Sequence, residues 1–445
     1  MVDAAQSEAK DRARRRIAWR LLPFVFLLYL IGMIDRFNVS FAALRMKADL
    51  GFSDTVYGFG ASLFFITYVA LEIPGAILAE RWSVRKWIAH IMVSWGVITT
   101  LTAGIQSAQN FYAARLFLGA AEASFFPAII IYLTRWFTLK DRARAIAAFY
   151  AASPVSVFVG SAIAGWLLPS RWMGVPGWRW LFVIEGVPAV VLGVIAAFYL
   201  ADSPSEAGWL PKDERSAIVG ELATEHASKF RLGLVRFWDT CKDTRLLLLL
   251  AGYFFYIMAI VTNTLWMPTF MQRLSHLPVA TVSRLVMIPA TAGVIGLLAN
   301  SWSSDRLGER KWHTVIPIVC GGFCYALITV ATRNFPAVVL LFTLYYFFAT
   351  GAFASLWAIP TTFLSQTTAA AAFGLINSVG QMGGFFGPSV VGYFNDNTGS
   401  IHWSLLFIGG SLLISAFTLS FLQSSSSIRH EEVQELAFDP GSTQS

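Results

Sequence analysis

Glu80-Arg81-Trp82-Ser83-Val84-Arg85-Lys86 and Asp305-Arg306-Leu307-Gly308-Glu309-Arg310-Lys311 decide how this chain is built. An acid, an arginine, a small residue and a basic pair recur in the same order, and every member of the second copy follows its counterpart at one constant offset of about half the chain. A fixed offset over matched residues marks an internal repeat. Each copy also joins two long apolar stretches, so the duplicated unit is a pair of hydrophobic segments with a short basic turn between them.

Outward from the two loops the same texture continues. Twelve apolar stretches, each near the roughly 20 residues that cross a hydrocarbon core of about 30 Å as a helix, fall at Leu21 to Ala43, Val56 to Ala79, Trp87 to Ser107, Phe111 to Thr134, Ala143 to Leu168, Trp178 to Leu200, Leu246 to Phe270, Val282 to Ser301, Trp312 to Thr332, Pro336 to Trp357, Ala369 to Phe394 and His402 to Leu422. The long polar stretch Ala201 to Arg245 separates six from six. The organisation expected is a basic arm (1–20), a six-helix bundle (21–200), a central linker (201–245), a second bundle (246–422) and a tail (423–445). The first span is too long and too polar, with Asp35, Arg36 and Asn38, to be a cleaved leader.

Composition agrees. Of 445 residues, 56% are hydrophobic and 13% charged, and the mean hydropathy is +0.60, whereas soluble domains carry about a quarter charged residues. The net charge of +7 is compatible with a nucleic-acid partner until the positions are read. The 33 Lys and Arg concentrate in the arm, the linker, the tail and alternate loops, which places both termini on the cytoplasmic side and leaves no nucleic-acid face. Cys241, Cys320 and Cys324 have no metal-binding or disulfide spacing. The histidines, His90, His226, His276, His313, His402 and His430, form no ligand pair, and no nucleotide loop is present. No cofactor is therefore expected, and neither an enzyme nor an ATP-driven pump.

The two loops resemble the signature loop of the major facilitator superfamily, the second copy more closely, because the first has Glu80 and Ser83 where Asp and Gly are usual. The resemblance implies an all-α membrane protein with twelve transmembrane helices in two pseudo-symmetric six-helix bundles, a midplane cavity and alternating access. It also makes Glu80, Arg81, Arg85, Lys86, Asp305, Arg306, Arg310 and Lys311 gating residues.

Ionisable groups inside a span cost about 2.5 to 3.5 kcal/mol each on insertion scales and need a reason. Asp35, Arg36, Glu72, Arg115 and Glu122 qualify, with Glu185 a weaker case. Arg115 and Glu122, seven apart, share a helix face; Asp35 and Arg36 point about 100° apart and find separate partners. Arginine keeps its charge, so Arg36 and Arg115 are anion anchors. Asn263, Asn377 and Gln381 are uncharged polar residues in spans, the last two on one face. Gly380, Gly383, Gly384 and Gly387, with Pro388, are expected to serve close helix packing or a bending point.

Asp35-Arg36-x-Asn38 with Arg115 and Glu122 resembles the anion:cation symporter family, whose bacterial members carry tartrate, phthalate, hydroxyphenylacetate and sugar acids. Supporting segments are Tyr68 ahead of Glu72-Ile73-Pro74, Trp178 to Phe182, and Phe373-Gly374-x-x-Asn377. The resemblance implies proton-coupled symport of a small organic acid in a bacterial inner membrane, and a monomer is expected. Asp35 and Glu122 become the protonated acids, Arg36 the substrate anchor, Arg115 the partner that tunes Glu122, and Tyr68, Asn38 and Asn377 polar contacts. Ser153 stands where sugar-acid carriers have Gln, which favours a less hydroxylated acid. Gln381 and Trp357 complete the expected substrate site, with Phe125, Phe126, Tyr256 and Trp266 as further aromatic lining. An efflux antiporter for lipophilic compounds is the nearest alternative.

Overall fold

A computed structural model describes residues 2–229, 243–363 and 366–422. Linker residues 230–242 with Cys241, and the tail 423–445 with His430, lie outside the described residues, as do the side chains of Pro154 and His226. Apart from a hairpin of β1 (Arg171–Trp172) and β2 (Val175–Pro176) and two short 3-10 turns, the regular structure described is α-helical.

In chain order the helices are α1 (Val2–Leu50), α2 (Asp54–Arg81), α3 (Val84–Thr102), α4 (Ala108–Glu122), α5 (Phe125–Trp136), α6 (Leu139–Tyr150), α7 (Ala152–Leu167), α8 (Gly177–Tyr199), α9 (Lys212–Lys229), α10 (Thr244–Ser275), α11 (Val279–Leu285), α12 (Met287–Leu307), α13 (Trp312–Ala331), α14 (Phe335–Ala358), α15 (Gln366–Thr398) and α16 (His402–Ser420). Serines start three of them: the hydroxyls of Ser53, Ser83 and Ser107 accept from the amides of Val56, Lys86 and Asn110, satisfying donors that a helix leaves free at its first turn. Gly51 and Gly308, with φ of 65° and 64°, follow the last turns of α1 and α12, a conformation that costs glycine nothing.

Ten described helical segments are long and apolar enough to cross a membrane. Joined, α4–α5, α6–α7 and α11–α12 count as one segment each, so three expected spans are interrupted helices. The stretches expected as spans 3 and 11 form long helices, α3 and α15, that fall short in composition, one through Arg85, Lys86 and His90, the other through its glycines, Asn377 and Gln381. Residues 2–20 continue α1 without a break, and the linker contains α9.

The chain divides into two compact units. The first comprises Met1–Gly233 with Thr264–Gln272 and His276–Met287. Here α3 and α8 cross at bare backbone: a Cβ on Gly96 would meet the Gly186 carbonyl oxygen at 2.6 Å, and one on Gly186 would meet the Thr100 amide nitrogen at 2.8 Å. The helix pair α2 and α4 closes equally tightly where Gly119 lies against the Phe64 carbonyl, locked by the Thr67 hydroxyl donating to Leu116 O at 2.8 Å. At the N-terminal end, Ala9, Ala13 and Ile17 of α1 are buried, as are Ala217, Ile218 and Leu222 of α9. Arg16 grips Glu214 with two bonds of 3.0 and 3.2 Å, Arg14 pairs with Glu221, and Arg20 lies 4.8 Å from the rings of both Tyr199 and Trp209. The outer part of α10 belongs to this unit because Tyr57 donates to Leu265 O at 2.9 Å and meets Trp266 edge-on.

The second unit comprises Leu234–Asn263, Arg273–Ser275 and Ile288–Ser445. Its glycine run does what its composition suggests: Gly383 lies against the Phe254 carbonyl and Gly387 against Met258 and Thr262, bringing α15 onto α10. Asn300 ties three helices, donating to the carbonyls of His313 and Gly351 at 2.9 Å each and to the Ser355 hydroxyl at 3.2 Å.

Candidate functional site

The charges of the first unit gather where α1, α2, α3 and α4 meet. Asp35 and Arg36 diverge as adjacent helical positions must. Asp35 is fully buried and its carboxylate is held by uncharged donors: Asn38 Nδ2 at 2.7 Å on Oδ1, and Thr99 Oγ1 at 2.6 Å with Trp95 Nε1 on Oδ2. Arg36 turns the other way and places Nη2 2.7 Å from Glu122 Oε1. Its guanidinium carbon lies 4.9 Å from the Tyr68 ring and 5.3 Å from the Phe64 ring, close enough for cation–π attraction.

Arg115 also lies by Phe64, 4.9 Å from that ring, and donates to Ala61 O at 3.3 Å. It makes no ion pair among the described residues, so the direct partner of Glu122 is Arg36 and not Arg115. Burial sorts these groups. The Arg36 side chain keeps 19% exposure against 3% for Glu122, and Arg115 is buried, so Arg36 is the more exposed of the two cations.

The helix break places the acid. α4 ends at Glu122 and α5 begins at Phe125, and the intervening Ser124 accepts a hydrogen bond from Trp87 Nε1 at 2.9 Å while its side chain lies against Gly75, just after Pro74 of α2. Glu122 Oε2 is buried with no hydrogen-bond partner. Between α1, α3, α4 and α8 lies a cavity of about 10 Å³ bounded by Asp35, Asn38, Thr99, Thr102, Arg115 and Phe182, room for one water at most.

Asp35, Arg36, Asn38, Tyr68, Arg115 and Glu122 are thus brought together. Ser153 on α7 is half-buried, and its carbonyl accepts from Ser156 at 2.6 Å; it makes no contact with the cluster in any bond described. In the second unit, Trp357 stacks on Phe373 at 5.5 Å, meets Tyr253 edge-on, and holds a buried indole N–H without an acceptor. Asn377 and Gln381 are half-buried on α15. Of the other aromatic candidates, Phe125, Tyr256 and Trp266 are buried in packing, Tyr256 donating to Ala349 O at 2.7 Å; Phe126 packs 5.8 Å from Phe149. Sequence reading missed Trp95 and Thr99, because a tryptophan and a threonine in an apolar helix carry no signal until an acid is found opposite them.

The duplicated loops are alike in sequence and different in conformation. In the first, Ser83 is extended and caps α3, and Asp202 receives both the Ser83 hydroxyl at 2.6 Å and the Arg85 amide at 2.9 Å. In the second, Gly308 is left-handed, and Arg310 pairs with Asp305 at 2.6 Å and donates to Ser304 at 3.0 Å. Arg306 and Lys311 lie over Trp302 and Trp312, and the Glu80 carbonyl accepts from Arg135.

Comparison with known proteins agrees with this architecture. A protein of Agrobacterium vitis named as a tartrate transporter is 40% identical over 92% of this chain and 94% of its own length. The quinolone resistance transporter of Acinetobacter baumannii is 34% identical over 88% and 91%. The crystal structure of a D-xylose-proton symporter superposes with a TM-score of 0.75, covering 91% of this chain and 97% of that one at 13% identity, a likeness of fold. The Major Facilitator Superfamily pattern matches residues 25–388, and the chain is therefore an integral, multi-pass membrane transporter of the major facilitator superfamily.

Proposed function

We propose that this chain carries a small organic carboxylate anion into the cell together with protons, by alternating access, as a monomer in a bacterial inner membrane with both termini cytoplasmic. The observation that carries the reading is the Arg36–Glu122 pair. An anion that docks on Arg36 competes with the Glu122 carboxylate for the same guanidinium. A proton on Glu122 withdraws that competitor, so substrate and proton enter the site together and leave it together. Asp35, satisfied by neutral donors alone, is the second acid, and unlike Glu122 it gains a proton without breaking an ion pair. With Asp35 and Glu122 protonated, Arg36 and Arg115 leave the cluster positive, which favours anions over cations. Tyr68, Asn38, Ser153, Asn377, Gln381 and Trp357 are the polar contacts assigned to the substrate, and the two signature loops are assigned to gating.

Export is the second reading, and the quinolone-resistance relative is the observation on its side. Quinolones carry a carboxylate, so Arg36 suits either reading and direction separates them. The test is thermal stabilisation of the purified protein by tartrate, phthalate, hydroxyphenylacetate, sugar acids, a quinolone and lipophilic cations across pH, followed by transport into and out of proteoliposomes under an imposed proton gradient. A pH-dependent shift for one acid, with accumulation down the gradient, is expected. Shifts for cations alone, or gradient-driven movement only in the opposite direction, would overturn it.

A further inference from the structure

Glu185 on α8 takes no part in the site just described, yet it is 3% exposed, and neither carboxyl oxygen has a hydrogen-bond partner. Isolated acids do not survive in such places without a means of neutralisation. Its surroundings can be read element by element. From α1, Asp35 and Asn38 are the groups near enough to act on its carboxyl. From α3, the neighbours of that cavity are Thr99, whose hydrogen goes to Asp35, and Thr102, whose hydrogen goes to Ile98 O at 2.8 Å. α7, from Ala152 to Leu167, has no ionisable residue. From α4, Arg115 lines the cavity together with Asp35, Asn38 and Phe182, the last standing one turn before Glu185 on α8. Next to Glu185 in sequence, Gly186 packs against Gly96 and Thr100 of α3 too closely to admit a side chain.

Asn38 stands between the two acids. Its Nδ2 gives one of its two hydrogens to Asp35, the same amide acts on the Glu185 carboxyl, and its Oδ1 is buried without a partner. Glu185 Oε1, Glu185 Oε2 and Asn38 Oδ1 are therefore three acceptors with at most the second amide hydrogen of Asn38 to serve them. A metal cation or a proton would supply what is missing. A metal cation takes six or so oxygen ligands, more than Glu185 and Asn38 supply, and the neighbouring cavity lined by Asn38 holds about 10 Å³ beside the fixed charge of Arg115. A proton needs neither the ligands nor the room.

We propose that Glu185 is a further proton-binding residue of the transport cycle, coupled to Asp35 across the Asn38 amide so that the two acids take up and release protons as a pair. This rests on the reading that Asp35 exchanges protons, and it adds a site on α8, a helix to which no substrate contact is assigned above.

The experiment is proton-driven substrate accumulation by the full chain in proteoliposomes over a range of pH, for the wild type, Asp35→Asn and Glu185→Gln. The expected result is that Glu185→Gln moves the pH midpoint of accumulation by about one unit or more, the scale at which two sites titrate as a pair. An unchanged midpoint in Glu185→Gln, with Asp35→Asn defective, would overturn the inference and leave Glu185 a packing residue. A wild type indifferent to the proton gradient would instead overturn the reading of Asp35. Should Glu185→Gln fail to fold, Asn38→Ser keeps both acids and removes the bridge: a shifted midpoint supports coupling, and an unshifted one refutes it.

Discussion

Arg36 and Glu122 face each other at 2.7 Å across α1 and α4, while Asp35, one residue before Arg36, has three donors and no cation. Two carboxylates thus occupy one region with opposite solutions, one satisfied by charge and the other by dipoles, and variants at the two positions should fail differently.

Glu122→Gln removes the competitor for Arg36. Substrate affinity, read from ligand-induced stabilisation, should be equal to or greater than that of the wild type and lose its pH dependence, while gradient-driven accumulation falls at least tenfold. Arg36→Lys keeps the charge and loses the planar fork, and about tenfold weaker binding is expected. Wild-type affinity in Arg36→Ala would move the anchor elsewhere.

Asp35→Asn nearly preserves shape and leaves the Arg36–Glu122 pair untouched. Substrate-induced stabilisation should persist, and accumulation against a gradient should be lost while exchange of internal for external substrate continues. Retained accumulation would remove Asp35 from the coupling scheme.

The position of Glu122 depends on the α4–α5 break, so Gly75→Ala, which drives a methyl into Ser124, should cost about 1 to 3 kcal/mol through overpacking and lower transport without touching a charge. Ser124→Ala, losing the Trp87 bond, should cost about 1 kcal/mol. Thermal unfolding together with uptake rates checks both.

Asp202 holds the first signature loop through Ser83 and the Arg85 amide. Asp202→Ala should lower stability by about 1 to 2 kcal/mol, whereas Glu309→Ala, which uncaps Trp312 and His313 at the second loop, acts on a different contact set. Equal responses in transport would argue that the loops work alike despite their different conformations.

In the second unit Tyr325 donates to Asn263 Oδ1, both buried. Tyr325→Phe should cost about 0.6 to 1.7 kcal/mol, the range for hydrogen bonds between membrane helices, measured by unfolding in detergent.

The repeat, the apolar spans and the intramembrane charges were legible because each rests on residues that water and lipid treat very differently. Pairing was not. Spacing alone puts Arg115 and Glu122 on one face, yet it cannot tell that α4 stops at Glu122 and that the acid meets α1 across the bundle. Burial hides the donors of Asp35 in the same way: Trp95 and Thr99 are ordinary in an apolar helix until a carboxylate stands opposite. The folding of the arm and linker onto each other escaped for a different reason. Their charges read as a positive-inside signal, and only the alternation of Arg12, Arg14 and Arg16 with the acids Asp213, Glu214 and Glu221 turns them into a clamp.

That clamp gives α1 a mechanical character. Its 49 residues, at about 1.5 Å each, make a rod of roughly 73 Å, more than twice the thickness of a hydrocarbon core. Arg14 stands roughly 33 Å along the axis from Arg36, so a tilt of about 5° at the buried ion pair becomes about 3 Å of travel at the grip on α9. Pro23 lies between the two, at the point where a proline lets a rod flex. Lengthening or softening that arm, or loosening its grip with salt, is therefore a handle on events in the bilayer that can be pulled from the water.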